Sequence, residues 1–95
     1  MAIYLNEEFI RAAQREPFKV IYGNDREITL RATSATRYIG RLPSRAELEI
    51  VENDQIVGYI TPYAENEYGA VKAQLFDVGL PAVFRTLDDA LCEVL

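Results

Sequence analysis

Two Asn-Asp pairs, each set between β-rich apolar runs, constrain this chain more than any other feature. Phe18-Lys-Val-Ile-Tyr22 and Glu27-Ile-Thr-Leu-Arg-Ala32 flank Gly23-Asn24-Asp25. Gly, Asn and Asp tolerate positive φ, so the chain can reverse here between two paired strands. Within the second run, Ile28, Leu30 and Ala32 should face a core while Thr29 and Arg31 face away. About thirty residues later, Leu48-Glu-Ile50 and Gln55-Ile-Val-Gly-Tyr-Ile-Thr61 flank Asn53-Asp54 in the same manner. Ser44-Arg-Ala-Glu47 also matches a helical capping box, so residues 44–53 read as strand or helix; the alternation after it predicts a second hairpin.

The two ends carry helix signals. Asn6 is a good N-cap, Glu7 and Glu8 favour the positive end of a helix dipole, and Leu5 can staple against Ile10. Pro17 should stop this helix near Glu16. At the other end, Thr86 with Asp89 three positions on forms a cap pattern, and Leu87, Ala90, Leu91, Val94 and Leu95 repeat at helical spacing. That helix should dock on the sheet, with Cys92 a small buried thiol beside its apolar face.

Between these anchors the signals are weaker. Ser34 can cap a short helical turn through Tyr38 and Ile39, closed by Gly40. Thr61-Pro62 either breaks a strand or opens a helix. Residues 64–78 read either way: Val71, Ala73 and Leu75 alternate as in a strand, while Val71, Leu75 and Val78 share a helical face. Gly79 and Pro81 turn the chain. The expectation is one compact α+β domain over residues 1–95: an N-terminal helix, an antiparallel sheet of two hairpins plus a further strand, and a C-terminal helix packed on it.

Composition removes much chemistry. The chain has no His, hence no His-based nucleophile pair and none of the commonest transition-metal ligand. One Cys cannot form an intrachain disulfide or a Cys-rich zinc site. The glycines are each ten or more residues apart, and neither Lys19 nor Lys72 sits in a phosphate-cradling motif. The reading is therefore of a non-enzyme with no catalytic residue, no metal and no cofactor. The longest apolar stretch, Val78 to Phe84, is far short of a membrane span, and the start lacks a signal-peptide pattern. A cytoplasmic setting without membrane attachment is expected.

The net charge of −5 conceals a polarity. Residues 1–45 hold eight Lys and Arg against five Asp and Glu, whereas residues 46–95 hold two against ten. Arg26, Arg31, Arg37, Arg41 and Arg45 fall within one stretch whose single acid is Glu27. These arginines either pair with the chain's own acids or present a basic face to phosphate. In the acidic half, Tyr63, Glu65, Glu67 and Tyr68 form an aromatic, acidic segment suited to a partner surface, since Tyr joins an apolar ring to a polar tip. Asp88 and Asp89 add charge, although acids at a helix start also serve the dipole.

The segment Leu48 to Tyr68 resembles the hairpin-then-helix of Phd and YefM antitoxins, and the opening from Ile3 to Ala32 looks like the start of that fold. The resemblance implies toxin and DNA binding, with Arg31, Arg37, Arg41 and Arg45 available for phosphate. About fifteen extra residues between the hairpins and a sheet-like C-terminal half depart from that family. In size and acidity the chain is similar to phage anti-defence proteins, including anti-CRISPR inhibitors, which share no motif. The expectation is a stoichiometric inhibitor or regulator that contacts a nucleic-acid-handling protein through Tyr63, Glu65, Glu67, Tyr68, Asp88 and Asp89. The alternatives are an antitoxin-like protein that binds a toxin and DNA, and a small subunit of a larger assembly; a homodimer is compatible with each.

Overall fold

A computed structural model describes residues 2–39 and 41–95. Helix α1 spans Glu7–Arg15 and helix α2 spans Leu87–Val94. Between them lie β1 (Phe18–Tyr22), β2 (Arg26–Ala32), β3 (Thr36–Ile39), β4 (Leu42–Arg45), β5 (Leu48–Glu52), β6 (Gln55–Ala64), β7 (Glu67–Lys72) and β8 (Ala82–Phe84), with a 3-10 turn at Ala73–Leu75. Six strands form an antiparallel sheet in the order β1-β2-β5-β6-β7-β8, and β3-β4 is a separate hairpin inserted between β2 and β5. The fold is α+β. No helix among the described residues is long and apolar enough to cross a membrane.

Turn chemistry sets the sheet. Gly23 and Asp25 have φ near 61° and 63° in the β1-β2 turn, and Asn53 and Asp54 have φ of 53° and 62° in the β5-β6 turn. Residues lacking a branched Cβ accept this left-handed region at low cost, so both Asn-Asp signals mark hairpins. Alternation then sorts the faces. Ile28, Leu30, Leu48, Ile50, Ile60 and Ala70 are buried in one cluster with Ile10 and Ala13 of α1 and Leu87, Ala90, Leu91 and Val94 of α2. Both helices therefore cover the same face of the sheet.

Caps bound each helix as its sequence predicts. Phe9 N donates to Asn6 Oδ1 at 2.8 Å, and Asp89 N donates to Thr86 Oγ1 at 3.3 Å. Leu5 and Ile10 are buried together, and the Phe9 ring meets Phe18 edge-on at 5.1 Å between centroids. The opposite face of the sheet holds a smaller cluster of Ala46, Val71 and Phe76 with Ala35 and Tyr59 against it. Tyr59 and Phe76 lie 4.3 Å apart between ring centroids.

Several local expectations are corrected by tertiary contacts. Residues 36–39 form β3 rather than a helical turn, pairing with β4 from Thr36↔Arg45 to Ile39↔Leu42. Arg37 decides this: its buried guanidinium donates from Nη1 to Phe76 O at 3.1 Å and Gly79 O at 2.7 Å, contacts no local helix could offer. The proposed closure at Gly40 lies outside the described residues. Thr61-Pro62 does not end the strand; β6 runs on to Ala64 with a register shift between Pro62 and Ala64, which accommodates a residue without an N–H. Residues 67–72 are strand and 73–75 a 3-10 turn, so the alternation seen from Val71 stops at Lys72. Ala32 and Cys92 are exposed rather than in the core. Ala32 is the last residue of β2, and Cys92 sits one position past the buried Leu91 on a helix whose apolar stripe is narrow.

The Arg26–Glu52 pair ties the far ends of β2 and β5, with Nε and Nη2 donating to the two carboxylate oxygens at 2.8 and 2.7 Å. The guanidinium holds the Glu52 carboxyl below its ordinary range. A carboxylate whose folded pKa lies below its unfolded value of about 4.3 stabilises the fold above that pH, and the contribution is lost as pH falls through the folded value. Glu52→Gln is expected to cost ~1 kcal/mol at neutral pH, because Arg26 is partly solvated, and to flatten the decline in stability below about pH 4.3. Denaturation midpoints across that range check this; parallel acid limbs for both proteins would contradict it.

Candidate functional site

The β6-β7 turn is the best-defined feature of the acidic half. Asn66 adopts φ of 56°, which reverses the chain and leaves Glu65 and Glu67 exposed on either side of it. Tyr63, just before the turn, is 63% exposed. Asn66 Oδ1 accepts the Glu7 N–H at 2.7 Å. The first amides of a helix have no intrahelical partner, so Asn66 serves α1 as a second cap supplied from across the fold. That bond ties the first turn of α1 to the β6-β7 turn.

Glu7, Glu8, Glu65 and Glu67 are all exposed on the two elements that this hydrogen bond joins. Among the described residues their one ion pair is Arg11 Nη2 with Glu7 Oε1 at 3.5 Å, two-thirds exposed on both sides and hence weak in water. A cleft of about 530 Å³ runs alongside, lined by Tyr4, Asn6, Asn66, Glu67, Val83 and Arg85 among others. Tyr4 is 58% exposed, so a second tyrosine stands with Tyr63 among the exposed aromatics of the chain.

Not every predicted contact residue joins this end. Tyr68 is buried under the helices and contributes to the core, so it supplies no contact area, contrary to the sequence-based expectation. Burial raises its hydroxyl pKa, with Glu47 and Glu7 adding to the rise. Asp88 and Asp89 form the first turn of α2. Asp88 lines a different groove, together with Ile3, Val20, Tyr22 and Leu87, on the other side of the Ile3–Leu5 segment. That segment is held by Leu5 N to Arg85 O and Leu87 N to Ile3 O, both at 2.8 Å.

The arginine-rich stretch is largely engaged within the fold. Arg26 pairs with Glu52, and Arg31 Nε bonds Glu49. Arg37 is buried, and Arg45 Nη2 donates to Thr33 O at 3.3 Å. Arg41 is exposed. The bond from Gln14 Nε2 to Glu47 Oε2 at 2.8 Å adds another of the acidic half's carboxylates to internal contacts. Among the described residues no group of three or more Cys, Asp or Glu is placed to hold a metal ion.

Sequence reasoning missed Glu7, Glu8 and Tyr4 as surface residues. The first two were explained by the helix dipole alone, and only the Asn66 bond, 59 residues away, joins them to the turn. It also passed over Val78 and Leu80, which are 80% and 92% exposed on a loop pinned by Arg37. No family model, no curated protein and no solved structure matches the chain.

Proposed function

We propose that the protein is a non-enzymatic stoichiometric inhibitor or regulator that works by direct contact with a protein partner through its acidic end. The observation that supports this reading is the β6-β7 turn, where Glu65 and Glu67 are exposed on either side of Asn66 next to the exposed Tyr63, and where the Asn66–Glu7 bond ties in the acidic start of α1. Exposed carboxylates at such a turn offer negative charge as a phosphate backbone does, so a groove built for nucleic acid is the complementary target. The exposed tyrosines contribute apolar area at low entropic cost. Arg31 bonds Glu49 and Arg37 is buried, whereas Arg41 and Arg45 are exposed, so the antitoxin-like alternative has those two arginines available for phosphate.

The double charge reversal Glu65→Lys with Glu67→Lys tests the reading. It is expected to leave the fold intact, to weaken partner binding about tenfold and to flatten its salt dependence. Unchanged affinity in a folded variant would remove this surface from the account.

One observation favours the alternative of a subunit in a larger assembly. Val78 and Leu80 are large apolar side chains on a loop held by Arg37, and such groups commonly mark contact surfaces. A strict monomer by size-exclusion chromatography with light scattering would count against self-assembly.

A further inference from the structure

The outer edge of the sheet at β1 has the properties of a strand-binding site. β1 is terminal in the sheet order, and among the described residues no backbone hydrogen bond reaches its free side. Exposed edges are normally blunted by proline, bulges or several charges. β1 contains no proline and no bulge: its register with β2 is continuous from Phe18↔Leu30 to Tyr22↔Arg26, and its one charge, Lys19, lies 4.0 Å from Glu27.

Beside this edge runs a groove of about 370 Å³. Val20 and Tyr22 form one wall, Ile3, Leu87 and Leu91 supply apolar surface opposite, and Asp88 stands at the rim. Val20, Tyr22 and Ile3 are only partly buried although they pack on the main core. The groove therefore joins a row of unpaired backbone groups to an apolar wall and a single carboxylate. An added strand satisfies all three: its backbone pairs with β1, and every second side chain enters the groove, apolar ones against the wall and one cation against Asp88.

We infer that β1 and the adjoining groove bind an extended peptide segment of a partner, with apolar residues and one cation on its groove-facing side, by strand addition. The site is separate from the Glu65 and Glu67 turn and goes beyond the function proposed above. Its occupant is a peptide strand because an edge of unpaired amides and carbonyls selects extended backbone, and it carries a groove-facing cation because Asp88 at the rim has no ion-pair partner among the described residues.

The probe is the capped hexapeptide Val-Thr-Val-Thr-Lys-Thr, whose valines and lysine share one face, titrated into the full chain and followed by amide NMR. Perturbation is expected at Lys19 to Tyr22 and at Leu87 to Leu91. The same peptide with alternate amides N-methylated keeps its charge and side chains but loses donors along one edge, and should bind about tenfold more weakly. Asp88→Asn should weaken the unmodified peptide about threefold. Equal binding of the two peptides, shifts confined to the Glu65–Glu67 turn, or no shifts at about millimolar peptide would each overturn the inference. Retained peptide binding in the Glu65→Lys, Glu67→Lys protein would show the two surfaces to be independent, so that failure at one leaves the other standing; loss of binding there would assign the peptide to the acidic end and refute the β1 site.

Discussion

Replacing Arg37 with alanine is expected to destabilise the fold by ~3 kcal/mol, which for a domain of this size lowers the melting temperature by about 12 to 24 °C. The side chain is 6% exposed and joins the β3-β4 hairpin to the loop after the 3-10 turn through Phe76 O and Gly79 O. Its guanidinium also lies 6.0 Å from the centroid of the Phe76 ring, which in turn stacks on Tyr59. Truncation leaves two carbonyls without their donor and opens a space beside the smaller cluster. Arg37 Nε already lacks a partner, so the full hydrogen-bonding capacity of the group is not at stake and the loss stays near this magnitude. Arg37→Lys should recover part of the loss, because both bonds leave the single nitrogen Nη1, a role an ammonium can take, while the planar face near the Phe76 ring is lost. Chemical denaturation reads the effect, and a loss below about 1 kcal/mol would mean that the hairpin docks by other contacts.

Gly58→Ala should cost ~2–3 kcal/mol for a different reason. A methyl group at this position would overlap Val94 Cγ1 and stand 2.9 Å from Val71 O. Gly58 lies on β6 opposite Ile50 on one side and Lys72 on the other, against Val94 in the last turn of α2. The absence of a side chain there is what lets the C-terminal turn of α2 settle. Val94→Ala should relieve part of the overlap, so the double variant is expected to be less destabilised than the sum of the two single ones. The backbone contact with Val71 remains, which keeps the relief incomplete. Additive losses in the double-mutant cycle would show that Gly58 and Val94 are not coupled.

These two positions illustrate what the chain makes legible. The helices and both Asn-Asp hairpins follow from local chemistry: Asn6 and Thr86 cap, Gly23, Asp25, Asn53 and Asp54 take positive φ, and Ile28 and Leu30 alternate into the core. The segment from Thr33 to Arg45 was misread because its structure depends on Arg37 reaching residues 76 and 79. Pro62 misled in the same way, since a register shift lets β6 pass it. At the candidate site, Tyr63, Glu65 and Glu67 are exposed as their acidic, aromatic segment predicts, whereas Tyr68, one residue past Glu67, lies on the opposite, helix-covered face of β7. Glu7 and Glu8 joined the site through one long-range bond that no pattern along the chain announces.

The most direct test of contact through the acidic end is affinity capture from the native host's lysate, with and without nuclease, using the wild-type protein and the Glu65→Lys, Glu67→Lys variant side by side. The account predicts one nucleic-acid-handling protein, retained in equimolar amount after nuclease treatment by the wild type and lost from the variant. Equal retention by both proteins, or retention that disappears with nuclease, would contradict it.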